Sequence, residues 1–270
     1  MTDLTQADAG NSPLAGAPEP ILEARAINKT YGHVEALREA NFSAYAGEVV
    51  ALIGDNGAGK STLIKILSGV AQPDSGRLLF EGRPVTIGSP TAAQRLGIET
   101  VYQDLALAPD LDGAANVFLG REPLRSGVLG RLGVLDKRAM RERTLDTFTD
   151  LGVGIRDPSA SVAYLSGGQR QGVAVARATV WASKVIIMDE PTAALGVVQT
   201  GRVLDIVRRV RDRGLAVILV SHNMPEVLAV ADRIQVLRLG RRVATFTREE
   251  ATLESLVGAM TGALEHEDDR

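Results

Sequence analysis

The sequence predicts an α/β fold, with buried parallel strands alternating with helices and a mostly helical insertion interrupting them. Three observations predict it. Val185-Ile186-Ile187-Met188 and Leu215-Ala216-Val217-Ile218-Leu219-Val220 are continuous apolar runs of strand length, as in strands covered on both faces. Val49-Val50-Ala51-Leu52-Ile53 is a third such run, followed by a glycine-rich turn and then by the helical stretch Thr62-Leu63-Ile64-Lys65-Ile66-Leu67. From about Thr91 to Tyr164 the pattern shifts to helices and loops. A chain of 270 residues can hold one large domain of this class with an inserted lobe.

The elements follow in chain order. Residues 1–20 are rich in Ala, Pro, Gly, Ser and Asp and are expected to form a disordered tail. Ile21 to about Gly88 is strand-rich, opening with an alternating segment at Ile21–Ile27 and including a short strand framed by Gly76 and Gly82. Gly97–Tyr102 reads as a further strand. Within the insertion, Asp136 is placed to cap a helix running to about Leu151, with Met140, Leu145, Phe148 and Leu151 as core. Arg170 to about Ala182 reads as a helix before the strand at Val185. The expected organisation is a tail over 1–20, one domain over 21–262 with a helical subdomain at about 91–164, and an acidic tail over 263–270.

Composition excludes several classes of function. A net charge of −3 argues against general nucleic-acid binding by electrostatics. The cluster Arg208, Arg209, Arg211 and Arg213 reads as a solvated helix face. The absence of cysteine excludes disulfides and thiolate metal sites. No apolar run approaches the ~20 residues that span a bilayer, and the first twenty residues lack the basic start and apolar core of a signal peptide. Any membrane role is expected to be peripheral, through a partner.

The glycine-rich turn carries the chemistry. Gly54-Asp55-Asn56-Gly57-Ala58-Gly59-Lys60-Ser61 fits the phosphate-binding loop, two glycines with four residues between them followed by lysine and a hydroxyl. Its backbone N–H groups can curl around an anion, and the following helix adds a partial positive charge beneath it. Lys60 is expected to reach the terminal phosphates, Ser61 to take a place on Mg²⁺, and Thr62 to complete the cradle. The chain is therefore expected to bind a nucleoside triphosphate. Leu165-Ser166-Gly167-Gly168-Gln169 opens a helix. It is either a second anion site, on backbone N–H groups and the Ser166 hydroxyl, or a serine N-cap beside a glycine turn. Asp189, Glu190, Pro191 and Thr192 follow one apolar strand, Ser221 and His222 follow another, and Gln103 follows the strand at Gly97–Tyr102.

That order of elements resembles the ATP-binding cassette family, the nucleotide-hydrolysing subunits of ABC transporters, over about Ile21 to Gly262. In that family's terms Gly54–Ser61 matches the Walker A loop and Gln103 the Q-loop. Leu165–Gln169 matches the signature motif, Asp189 and Glu190 the end of the Walker B strand, and His222 the switch histidine. Tyr31 stands where the family places an aromatic that stacks on adenine. Val101–Leu107, Pro191–Gly196 and Ser221–Pro225 look like the carbohydrate importers, nearest the ribose-, xylose- and fructose-type systems in single-cassette form.

The resemblance implies a P-loop NTPase core with an antiparallel β subdomain and an inserted helical subdomain. It implies an ATPase with Glu190 as general base, His222 orienting the water, and Lys60 on the phosphates. ATP would be held by Tyr31, Gly54–Thr62 and Ser166–Gln169, and Mg²⁺ by Ser61, Gln103 and Asp189. It further implies a head-to-tail homodimer and a multi-span permease contacted by the helical insertion. An external sugar-binding protein and a place on the cytoplasmic face of the inner membrane complete the implied system. One departure stands out: the family's carboxylate after Ser-Ala-Leu is replaced in Ala193-Ala194-Leu195-Gly196 by Gly196. The competing readings are a soluble non-transport ATPase of the same family and a nucleotide-binding regulatory module of low turnover.

Overall fold

The computed structural model describes residues 19–155, 157 and 159–263. The two expected tails lie almost entirely outside these residues. In chain order come β1 (Leu22–Tyr31), β2 (Val34–Ala44), β3 (Val49–Ile53), α1 (Lys60–Leu67), β4 (Ser75–Phe80) and β5 (Arg83–Val85). They are followed by α2 (Pro90–Arg95), β6 (Ile98–Val101), α3 (Gly113–Phe118), α4 (Val128–Arg131) and α5 (Lys137–Leu151). The chain continues through α6 (Gly167–Trp181), β7 (Val185–Asp189), α7 (Val197–Asp212), β8 (Ala216–Val220) and α8 (Met224–Val230). The last elements are β9 (Arg233–Arg238), β10 (Arg241–Thr247) and α9 (Leu253–Thr261).

These strands make two sheets. One is antiparallel, in the order β2-β1-β4-β5; the other runs β10-β9-β3-β8-β7-β6, parallel except where β10 pairs with β9. The apolar strands of the second sheet divide their side chains between two cores. Ile187 and Ile218 face a core shared with Leu22, Phe42, Leu63 and Leu78. Ile186, Met188, Val217 and Leu219 face another with Phe148, Val173 and Val207. Period-two alternation therefore buries every apolar residue of these strands, which is why the runs are continuous. Each fully buried aliphatic side chain contributes about 1.5–3 kcal/mol.

The helices between β6 and β7 are tied to this sheet through α6. Trp181 meets Phe118 edge to face at 5.6 Å, and its ring N–H donates to the Val117 carbonyl at 3.0 Å. Asp136 caps α5 by accepting from Ala139 N, as its position predicts. Met140, Phe148 and Leu151 are buried while Leu145 is 40% exposed, so the core face is narrower than expected. The strand expected at Gly97–Tyr102 is β6, which lies within the span 91–164, pairs in parallel with β7 and belongs to the core sheet.

The arginine cluster faces solvent in part, as expected, and is also tied to neighbouring elements. Arg209 donates to the Asp150 carbonyl and Arg213 to the Asp150 carboxylate, tying α7 to α5. Arg208 reaches the Ala229 carbonyl and Arg211 pairs with Asp232, beyond α8. Partners distant in the sequence turn the row of charges into a clamp.

Candidate functional site

Parallel strands point the same way, so their carboxyl ends share one edge of the sheet. β3, β8, β7 and β6 are successive neighbours, with Leu52 opposite Val220, Val220 opposite Asp189, and Met188 opposite Val101. The residues that follow these strands therefore emerge side by side: the glycine-rich loop, Ser221 and His222, Glu190, and Gln103. This edge is where ligands bind in open α/β sheets.

The loop from Gly54 to Ser61 is pressed against the protein on its inner side. A Cβ at Gly54 would lie 2.1 Å from the Leu237 carbonyl oxygen, and one at Gly59 2.6 Å from that of Ala36. Both glycines also have φ beyond +100°. Only glycine satisfies both constraints. On the outer side, a Cβ at Gly57 would meet nothing within 4 Å.

Helix α1 starts from Gly59 without a side-chain cap, which leaves its first N–H groups for a ligand. Lys60 is buried, and its ammonium donates to the Gly54 carbonyl at 2.6 Å and the Asp55 carbonyl at 3.0 Å. Burial lowers its pKa, against the pull of Glu190, Asp55 and Asp189. A buried ammonium among carbonyls and free amides, beside an open cradle, fits a phosphate chain.

At the end of β7, Asp189 is about half-buried. Burial, reinforced by the charge of Glu190, raises its carboxyl, while Lys60 and Lys65 oppose the shift. A carboxylate driven up in this way is stabilised by a cation. Ser61 in the first turn of α1 and Gln103 two residues past β6 offer neutral oxygens at the same edge. This donor set suits a hard divalent ion such as Mg²⁺.

Glu190 sits in left-handed backbone with φ 49°, a conformation that costs about 1–3 kcal/mol for a non-glycine residue. Its N–H donates to the Val220 carbonyl at 2.9 Å, holding it to β8. Across the edge, Nδ1 of His222 stands 3.0 Å from Oε1 of Glu190. The structure thus joins these two sequence-predicted residues directly.

Ser166–Gln169 makes a capping box at the start of α6. The Ser166 hydroxyl accepts from Gln169 N, and Gln169 Oε1 accepts from Ser166 N. Within one chain the serine is therefore an N-cap. A Cβ on Gly167 would lie 3.1 Å from Leu195, and one on Gly168 3.1 Å from Gln199, so the motif packs beside the loop that follows Glu190. Tyr31 ends β1 with an exposed ring, 5.5 Å from the Lys29 ammonium.

Two residues at this edge are not singled out by the sequence. Arg177, on α6, is partly buried and donates to the carbonyls of Leu105 and Ala106, just after Gln103. Glu226, on α8, accepts from Thr192 and Asn223. Both are invisible to motif spacing because their partners are more than thirty residues away or are backbone atoms, except Asn223. An Asn223-to-Glu226 spacing at a helix start was the one local signal, and it reads as a capping pattern.

The comparisons with known proteins agree with this geometry. A family model described as ABC transporter matches residues 37–193. The chain is 52% identical to the fructose import ATP-binding protein FrcA of Rhizobium meliloti, over 92% of this chain and 96% of that protein. It is 47% identical to the xylose/arabinose import ATP-binding protein XylG of Sulfolobus acidocaldarius, covering 89% and 94%. Among solved structures it is similar to an ATP-binding cassette of an ABC transporter in its ADP conformation, with a TM-score of 0.77 at 26% identity, covering 90% and 95%. A nucleotide-free cassette gives a TM-score of 0.75 at 27% identity, covering 89% and 96%.

Proposed function

The chain belongs to the ABC transporter family and is an ATPase of that family, and from this premise we propose that it powers a bacterial importer for a pentose or hexose. The observation that carries the catalytic part is the Glu190–His222 pair, 3.0 Å apart at the strand edge that also carries the Lys60 loop. The likeness to fructose and xylose/arabinose import proteins over nearly their whole lengths carries the sugar part. A non-transport ATPase or a low-turnover regulatory module finds no comparable support.

In the proposed mechanism, the amides of Gly54–Thr62 and the Lys60 ammonium hold the β- and γ-phosphates, and Tyr31 stacks on the base. Ser61, Gln103 and Asp189 would hold Mg²⁺, which when bound neutralises charge on the phosphate oxygens. Glu190 takes a proton from the attacking water, and His222 orients that water through its remaining ring nitrogen. Ser166, Gly167, Gly168 and Gln169 of a second copy close over the γ-phosphate, their N-cap geometry presenting helix amides to it. Two sites therefore form in a head-to-tail homodimer.

The segment between β6 and α6 is the proposed seat of the permease. A cleft of about 510 Å³ opens there, lined by Leu111, Ala114, Leu119, Met140 and Arg141 among others. In this reading the chain sits at the cytoplasmic face of the inner membrane, and the permease and an external sugar-binding protein complete the system. Among the described residues no helix is long and apolar enough to cross a membrane.

The test is to isolate the tagged chain from gently solubilised membranes and identify its companions by mass spectrometry. A co-purifying protein with several apolar spans, whose deletion stops sugar uptake, is the expected outcome. Recovery with ribosomal or other cytosolic partners alone would overturn the importer reading.

A further inference from the structure

Strand pairing between β7 and β8 ends at the bond from Glu190 N to the Val220 carbonyl. Past that bond the two chains leave the sheet, one as Pro191-Thr192-Ala193 and the other as Ser221-His222-Asn223. The ladder itself no longer fixes the Glu190 side chain opposite His222. A third element touches both segments. Glu226, in the first turn of α8, accepts from the Thr192 hydroxyl on one carboxylate oxygen, and from the Asn223 side-chain amide at 2.7 Å on the other.

We propose that Glu226 is a positioning residue for ATP hydrolysis, stitching the Glu190 segment to the His222 segment through Thr192 and Asn223. The inference rests on the reading of Glu190 as general base. An ionised carboxylate only accepts hydrogen bonds, so the Thr192 hydroxyl must donate and its rotor is fixed. Thr192 is buried, and without Glu226 its hydroxyl would lose that partner. The loop is braced on its other flanks as well. Ala193 N donates to the Glu190 carbonyl at 3.1 Å, and Asn223 N to the Ser221 hydroxyl at 3.0 Å. Beyond the Glu190–His222 contact itself, Glu226 joins the two flanks through side chains on each.

Small displacements matter for a base. A shift of about 1 Å in a reacting group can lower turnover by up to a hundredfold. A first-turn acid also favours α8 through the helix dipole, but that effect falls on stability and not on turnover. The two roles are therefore separable.

The experiment measures kcat, KM for ATP and thermal unfolding on the purified full chain. Glu226→Ala and Thr192→Val are each expected to lower kcat about tenfold with KM within about twofold. Their combination is expected to be no worse than either alone, because both break one stitch. Glu226→Gln and Thr192→Ser, which keep a hydrogen bond across the gap, are expected to stay within about threefold of the parent. If Glu226→Ala does not fold, Thr192→Val, close in shape to threonine, carries the test alone.

Loss of kcat without rescue by Glu226→Gln or Thr192→Ser, multiplicative losses in the double variant, or unchanged kcat in both single variants would overturn the proposal. Glu190→Gln, run in parallel, keeps the two failures apart. If it retains full turnover the base assignment fails. If it abolishes turnover while Glu226→Ala and Thr192→Val do not change it, only the positioning role fails.

Discussion

The carboxyl edge of the parallel sheet and the segment between β6 and α6 differ in what holds them in place. At the edge, Asp189 ends β7, Glu190 follows it, His222 is two residues past β8, and Lys60 opens α1 at the end of the loop from β3; polar partners hold Lys60, Glu190 and His222. In the other region Val128 is 71% exposed and Leu132 73%, on and just beyond the four-residue helix α4. A catalytic site must be complete in its own geometry. A docking surface leaves apolar groups for another chain to cover. The contrast predicts that changes at the edge act on chemistry, and that changes around α4 act on coupling to the partner.

The largest effect is expected from Lys60→Ala. Removing the one buried lysine among the described residues should weaken ATP binding by about a hundredfold, measured by titration with a fluorescent ATP analogue. Equal affinity in the variant would break the edge side of the comparison.

Around α4 the expectation runs the other way. The double substitution Val128→Ser with Leu132→Ser should leave ATP hydrolysis by the isolated chain within about twofold of the parent. Its co-purification with the proposed permease should fall about tenfold, since two exposed aliphatic side chains are removed. Reduced hydrolysis by the isolated chain would show that the two regions are not separable.

Asp189→Asn sharpens the comparison through stability. The folded state raises the Asp189 carboxyl through burial and the neighbouring Glu190, so folding favours its protonated form. The resulting penalty is absent below the ordinary carboxylate pKa and grows as pH rises through the elevated value. At neutral pH the nucleotide-free variant should therefore melt above the parent, a gap that closes at acid pH, by calorimetry. A lower melting temperature at neutral pH would contradict the strained-carboxylate account.

The smallest effect is expected at Gly196. Its backbone is extended, and its N–H is capped by Gln199 at 2.8 Å. A Cβ there would stand 3.0 Å from the Gln199 amide oxygen, which can swing away. Gly196→Asp should thus fold normally and change turnover by no more than about twofold, read by steady-state hydrolysis.

What was legible in the sequence follows the same division. β3, β7 and β8 could be read because strands buried on both faces are continuous apolar runs, and the phosphate loop because its glycines are sterically required. Asp189, Glu190 and His222 could be placed because they follow such strands directly. The arginine row on α7 is legible as a solvent-facing surface, but its ties are not, because Asp150, Ala229 and Asp232 come from other elements. β6 is legible as the strand at Gly97–Tyr102, two residues longer than the four that pair. Thr192 and Glu226 meet only through the fold, 34 residues apart. Spacing reveals groups anchored to regular strands; it does not reveal stitches between loops.

The most direct test of the account is ATP turnover by Glu190→Gln set beside its ATP affinity. The account predicts a fall in kcat of about a hundredfold or more with affinity within about threefold of the parent. Parental turnover in that variant would contradict it and place the base elsewhere.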